Sequence, residues 1–161
     1  MPQVNWVLTV QKFCVYGCLG LLIEVFFTGL WSLFQRHWKM TGSTYLPMFF
    51  VYGFTALVLE AVSGSLFWPF WCKAPVYVCI IYGAEALSGL SIMWITGRLE
   101  KYLGGHGGGV VPWTYAKSKW TLFGLVEPRY LPVWLALALA FDPISHFLTK
   151  ILRVAATVLG A

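Results

Sequence analysis

Three glutamates stand where an acidic side chain is expensive: Glu24, Glu60 and Glu85 each interrupt an apolar run long enough to cross a bilayer. One ionised carboxylate at mid-membrane costs roughly 2.5 to 3.5 kcal/mol on insertion scales, so it must pair, take up a proton or draw in water. Groups placed this way suit charge compensation for a cation, proton exchange, or general acid–base work. Each glutamate has small or polar company on its own helical face. Gly17 and Glu24 are separated by about 20° around a helix, and Thr28 follows one turn later. Tyr82, Glu85 and Gly89 fall at i, i+3 and i+7 and share a stripe.

The second run repeats the device of the first. Tyr52-Gly53 precedes Glu60 as Tyr16-Gly17 precedes Glu24, with the same eight-residue step from Tyr to Glu. The match reads either as an internal duplication or as a coincidence of three residues. Because successive spans run in opposite directions, the two glutamates can lie at similar depth. The expectation is that Glu24, Glu60 and Glu85 converge on one interior pocket, since lipid cannot satisfy polar stripes turned outward. Tyr16, Tyr52, Tyr82, Trp113 and Tyr115 would then stand near a cationic guest, each aromatic face adding about 0.5 to 2 kcal/mol of cation–π attraction.

The elements that must position these residues are membrane helices. Of 161 residues, 59% are hydrophobic and 11% charged, against about 25% charged in a soluble domain. Spans of about 20 apolar residues fit roughly 13–34, 45–71, 76–96 and 131–152. The expected fold is therefore all-α: a polytopic membrane four-helix bundle, a single transmembrane domain over 1–161, with a long Gly-rich, re-entrant or interfacial connection between the third and fourth helices. The Gly104–Gly109 run lacks a preceding strand and a following Gly-Lys-Ser/Thr, so it is no phosphate loop. Asp142-Pro143 predicts a kink or helix end, with an interfacial amphipathic tail beyond it. Met-Pro-Gln-Val-Asn-Trp has no basic region or cleavage site, so the first run is expected to stay as a span.

The formal charge of +5 is spread singly over span ends and loops, which argues against nucleic acid as a partner. Lys12, Lys73, Lys150 and Arg153 fall on one side of a four-span chain, and Arg36, Lys39, Arg98, Lys101, Lys117, Lys119 and Arg129 on the other. The positive-inside rule then places the 35–44 and 97–130 connections in the cytosol. Cys14, Cys18, Cys72 and Cys79 lack zinc-ligand spacing and read as small packing residues, with Cys72 beside a membrane edge as a palmitoylation alternative. No cofactor is implied. The expected partners are the lipid bilayer, a small cationic or lipid-like ligand, and a second copy of the chain, since four spans are few for transport.

Tyr-Gly-x-x-Gly-x-x-x-Glu-x-x-Phe-Thr-Gly over 16–29, Thr41-Gly42, Tyr52-Gly53 with Glu60, Glu85-x-x-x-Gly89, Pro112-Trp113-x-Tyr115, Gly124 and Pro132-x-Trp134 follow one another in order. The series resembles the ABC-transporter type IV (CmpB-like) family of small four-span proteins, which includes the transmembrane protein 229 group, over about residues 13–134. The resemblance implies Glu24, Glu60, Glu85, Trp113 and Tyr115 as the matching positions. One departure is Thr114, where the family commonly has Asp between Trp and Tyr; it removes an acid–base group from that place.

Three functions follow. The first is transport or binding of a cation, an amine or an amphipathic small molecule at Glu24, Glu60 and Glu85 with Tyr16, Tyr52, Tyr82, Thr28, Trp113 and Tyr115. The second is a structural or assembly role in which the buried acids only specify helix packing. The third is an intramembrane lipid-modifying enzyme with a glutamate as base; His37, His106 and His146 are scattered over loops and span ends and offer it no partner.

Overall fold

The computed structural model describes residues 5–104, 106, 108, 113, 115, 118–122 and 124–159. Readings that rest on Met1–Val4, on Gly105, Gly107 and Gly109, and on Pro112 and Thr114 lie outside the described residues. Among the described residues there are four long helices and no strand: α1 (Trp6–Phe34), α2 (Pro47–Ser65), α3 (Phe70–Tyr102) and α4 (Leu131–Leu159), with a single 3-10 turn at Pro128–Tyr130 before α4. All four are long and apolar enough to cross a membrane, and the chain is an all-α four-helix membrane protein.

Helix ends follow local chemistry more closely than hydropathy does. α1 begins well before position 13 because the Asn5 side chain caps it, its Oδ1 accepting from Leu8 N at 3.1 Å. α2 opens on Pro47, whose missing N–H is harmless at the first position. It stops at Ser65, short of 71, because Leu66 is extended and Pro69 disfavours helix at Trp68. α3 takes the freed residues from Phe70 and runs through Pro75 to Tyr102.

Of the kink or helix end expected at Asp142-Pro143, the helix end does not occur: α4 continues through Pro143 to Leu159, so the tail is part of the same helix. In lipid every broken backbone bond is left without water, so the helix carries one missing donor rather than unwinding. The four cysteines are free and exposed on this chain.

The chain divides into two compact units, Met1–Phe67 with Phe141–Ala161, and Trp68–Ala140. In the first, α1 and α2 form an antiparallel hairpin whose connection folds back along α1. Thr28 Oγ1 accepts from Ser43 N at 2.9 Å, and Gly29 faces the Met40 carbonyl so closely that a Cβ would lie 3.0 Å from it. Arg36 (φ 65°) and Met40 (φ 46°) adopt the left-handed region to turn the chain.

In the second unit the described part of the long connection packs on α3. Tyr115 N donates to Gly124 O at 2.8 Å, Trp113 Nε1 to Leu125 O at 3.1 Å, and the buried Leu125 side chain fills the notch at Gly89. Gly124 supplies the positive φ (71°) for the turn that pairs Leu122 with Val126.

Candidate functional site

The two helices of the hairpin repeat a set of residue types at one constant offset. The shift along the chain that carries Tyr16 onto Tyr52 also carries Phe13 onto Phe49, Val15 onto Val51, Gly17 onto Gly53, Leu21 onto Leu57 and Glu24 onto Glu60. The contacts obey the same exchange. Tyr16 OH donates to Glu60 Oε1 at 3.2 Å, and Tyr52 OH to Glu24 Oε2 at 3.0 Å. A Cβ at Gly17 would meet the Phe49 ring at 2.7 Å, and one at Gly53 the Phe13 ring at 2.6 Å. Phe13 and Phe49 meet each other edge to face, centroids 5.5 Å apart. The reciprocal contacts extend the repeat from three positions to six.

This pairing corrects the expected convergence. If Tyr16 reaches Glu60 while Tyr52 reaches Glu24, the two carboxylates are separated by the eight-residue step along α1, about 12 Å. They form two nodes, one toward each end of the hairpin. The antiparallel partner of each glutamate is the other helix's tyrosine, and a step of two turns cannot bring the acids together.

At the Glu60 node four donors gather on one oxygen. Oε1 receives Lys12 Nζ at 2.7 Å, Ser145 Oγ at 2.8 Å, Tyr16 OH at 3.2 Å and Thr149 Oγ1 at 3.3 Å. They come from α1 and α4 onto α2, and the ion pair is mostly shielded, its side chains 13% and 20% exposed. Lys12 lies one turn before Tyr16 on the same face. A carboxylate and an ammonium so placed cancel each other's charge, which removes the cost of a lone ion in lipid.

The Glu24 node has the hydroxyls without the ammonium. Oε2 accepts from Thr44 Oγ1 at 2.5 Å and from Tyr52 OH at 3.0 Å, while Thr28 is turned to the Glu24 and Ser43 backbone rather than to the carboxylate. No Lys, Arg or His among the described residues is within ion-pair distance of Glu24.

Glu85 belongs to the other compact unit and is buried, 8% exposed, with Tyr115 OH donating to its Oε1 at 3.3 Å. Tyr82 points its hydroxyl at Pro128 O, 3.4 Å away, so it does not serve Glu85. Trp113 braces the connection through Leu125 and stacks on no cation; the cation–π contact among the described residues is Arg98 over Trp94. Beside these, Arg129 Nε and Nη2 hold Glu127 at 2.9 and 3.0 Å, and the Arg129 contacts bring the Glu127 carboxyl down to about 2. No group of three or more His, Cys, Asp or Glu among the described residues could hold a metal ion.

The structure thus brings together Tyr16 with Glu60 and Tyr52 with Glu24, and keeps Thr28, Tyr82 and Trp113 for backbone contacts. It adds Lys12, Thr44, Ser145 and Thr149, none of which stood out in the sequence. It also pairs Ser63 Oγ with the buried Asp142 at 2.9 Å. No protein-family model matches the chain, and no solved structure matches it.

Proposed function

We propose that the protein binds a small cation or protonated amine within the membrane, and moves it, through the carboxylate nodes of the α1–α2 hairpin. The observation that carries this reading is the Lys12 ammonium held by Glu60 with three hydroxyls from two other helices. The hairpin framework accommodates a desolvated ammonium, which is the hard part of recognising one in lipid. The test uses purified protein in lipid nanodiscs. Its thermal stability is followed while sodium, potassium, tetramethylammonium or a primary amine is added, for the wild type and for Glu24→Gln and Glu60→Gln. Cation-dependent stabilisation that one of the two variants abolishes supports the reading; shifts insensitive to both overturn it.

A structural role is the second reading, favoured by one feature: four side chains of α1 and α4 already donate to Glu60. In that case both variants lower stability alike in every salt, and no cation discriminates between them.

A further inference from the structure

The two halves of the hairpin are equivalent in their aromatic, glycine and acidic positions but not in the residue one turn before the tyrosine. In the first half that residue is Lys12, whose ammonium sits on Glu60. In the second half the equivalent residue is Met48, buried and uncharged. Glu24 therefore keeps a tyrosine and a threonine hydroxyl, as Glu60 keeps tyrosine, serine and threonine hydroxyls, while no Lys, Arg or His among the described residues pairs with it. Glu24 Oε1 accepts no hydrogen bond among the described residues, both short contacts falling on Oε2.

We propose that Glu24 is the open member of the duplicated pair and takes the ammonium head of a primary amine, in the role that Lys12 plays for Glu60. Two independent observations point to a ligand of this class. One is a carboxylate within an apolar span that makes no ion pair among the described residues. The other is the duplicate node in the same molecule, which is occupied by a primary ammonium on an unbranched alkyl chain. A lysine side chain is itself a butylammonium group, so the Glu60 node reports both the head group and the stem that such a site accepts. Thr44 and Tyr52 act as the positioning hydroxyls for the carboxylate. The inference rests on the proposed function and narrows it to one carboxylate and one cation class.

The probe is n-butylammonium chloride, with tetramethylammonium and sodium chlorides as competitors of the wrong shape, and binding is measured by calorimetry and thermal shift on the full chain in nanodiscs. The wild type binds one equivalent of butylammonium. Glu24→Gln lowers that affinity by about tenfold or more, the loss expected when a charge-assisted bond goes. Met48→Lys supplies the tethered ammonium, raises the melting temperature and abolishes butylammonium binding. Lys12→Met is the mirror experiment: it vacates Glu60, melts lower than wild type, gains a second equivalent of butylammonium and is restored by it. Should Met48→Lys fail to fold, Glu24→Gln and Lys12→Met still decide. Butylammonium binding that survives Glu24→Gln, or a Lys12→Met protein with no added site, overturns this inference. The broader reading stands even then if sodium or tetramethylammonium binding is lost in Glu24→Gln or Glu60→Gln, and falls with it if no cation responds to either.

Discussion

The Lys12–Glu60 pair invites a double-mutant cycle. Breaking a fully buried ion pair by removing one partner costs about 3–5 kcal/mol, while exposed pairs contribute at most about 1 kcal/mol. With side chains 13% and 20% exposed, this pair is near the buried limit. In Lys12→Met, however, Ser145, Tyr16 and Thr149 still donate to the carboxylate, which reduces the expected loss to about 2–3 kcal/mol. Glu60→Gln strands the ammonium instead and replaces the charged acceptor of four donors with a neutral amide, so about 2–4 kcal/mol is expected. The combined Lys12→Met/Glu60→Gln change takes away both charges and leaves an amide that can still accept from Ser145, so the double variant should be no worse than the milder single one. That is a coupling of at least about 2 kcal/mol, against about 0.6 for an ordinary interhelical hydrogen bond in a membrane. Reversible unfolding in bicelles, followed by the equilibrium fraction unfolded, measures all four corners. A coupling at or below the ordinary interhelical value would show that the pair is no charge-compensating unit, and the account of both nodes would fail with it.

Gly20→Ala should cost about 1–3 kcal/mol, because its Cβ would overlap the stem of Tyr52 at Cβ, Cγ and Cδ2, which cannot swing aside. Gly64→Ala is the control: a Cβ there meets nothing within 4 Å, and the change should be neutral or stabilising in the same unfolding assay. Tyr52→Phe should lose about 0.5–1 kcal/mol and leave Glu24 with Thr44 alone, whereas Tyr16→Phe should lose less, because Glu60 retains Lys12, Ser145 and Thr149. The Glu127 carboxyl lies below its ordinary value of 4.5, at about 2, because Arg129 holds its charged form. Its contribution to the packing of the connection is therefore full above about 4.5 and is lost as the pH falls toward about 2. Tryptophan fluorescence from Trp113 and Trp120 should report a transition in that window, and Glu127→Gln should abolish it.

The four spans were readable because a stretch of apolar residues long enough to cross a bilayer has few other homes. Their limits were not, since they turn on single residues: the Asn5 cap, the extended Leu66 and the prolines at 47 and 69. Pro143 misled for a related reason, because rules drawn from water overstate its power to end a helix in lipid. The acids and tyrosines of the hairpin were visible as a repeated Tyr-Gly and Glu, yet each tyrosine serves the opposite helix. Spacing along one strand of chain cannot reveal that; only the antiparallel register does. Lys12 looked like a span-end charge, and Ser145 and Thr149 like ordinary small polar residues of a tail, until α4 was found to be unbroken. Met48 acquires meaning solely from the residue it replaces in the duplicate.

The edge-to-face rings of Phe13 and Phe49 occupy the one place in the hairpin where a residue confronts its own counterpart. Elsewhere a substitution touches a single node, which is how a lysine at one end and a methionine at the other can coexist without mutual penalty. At the rings that independence ends. Phe49 fills the notch at Gly17, Phe13 fills the one at Gly53, and the two rings bear on each other, so a change to either ring is passed to the notch of the other and the aromatic pair acts as a common fulcrum for two otherwise separate sites.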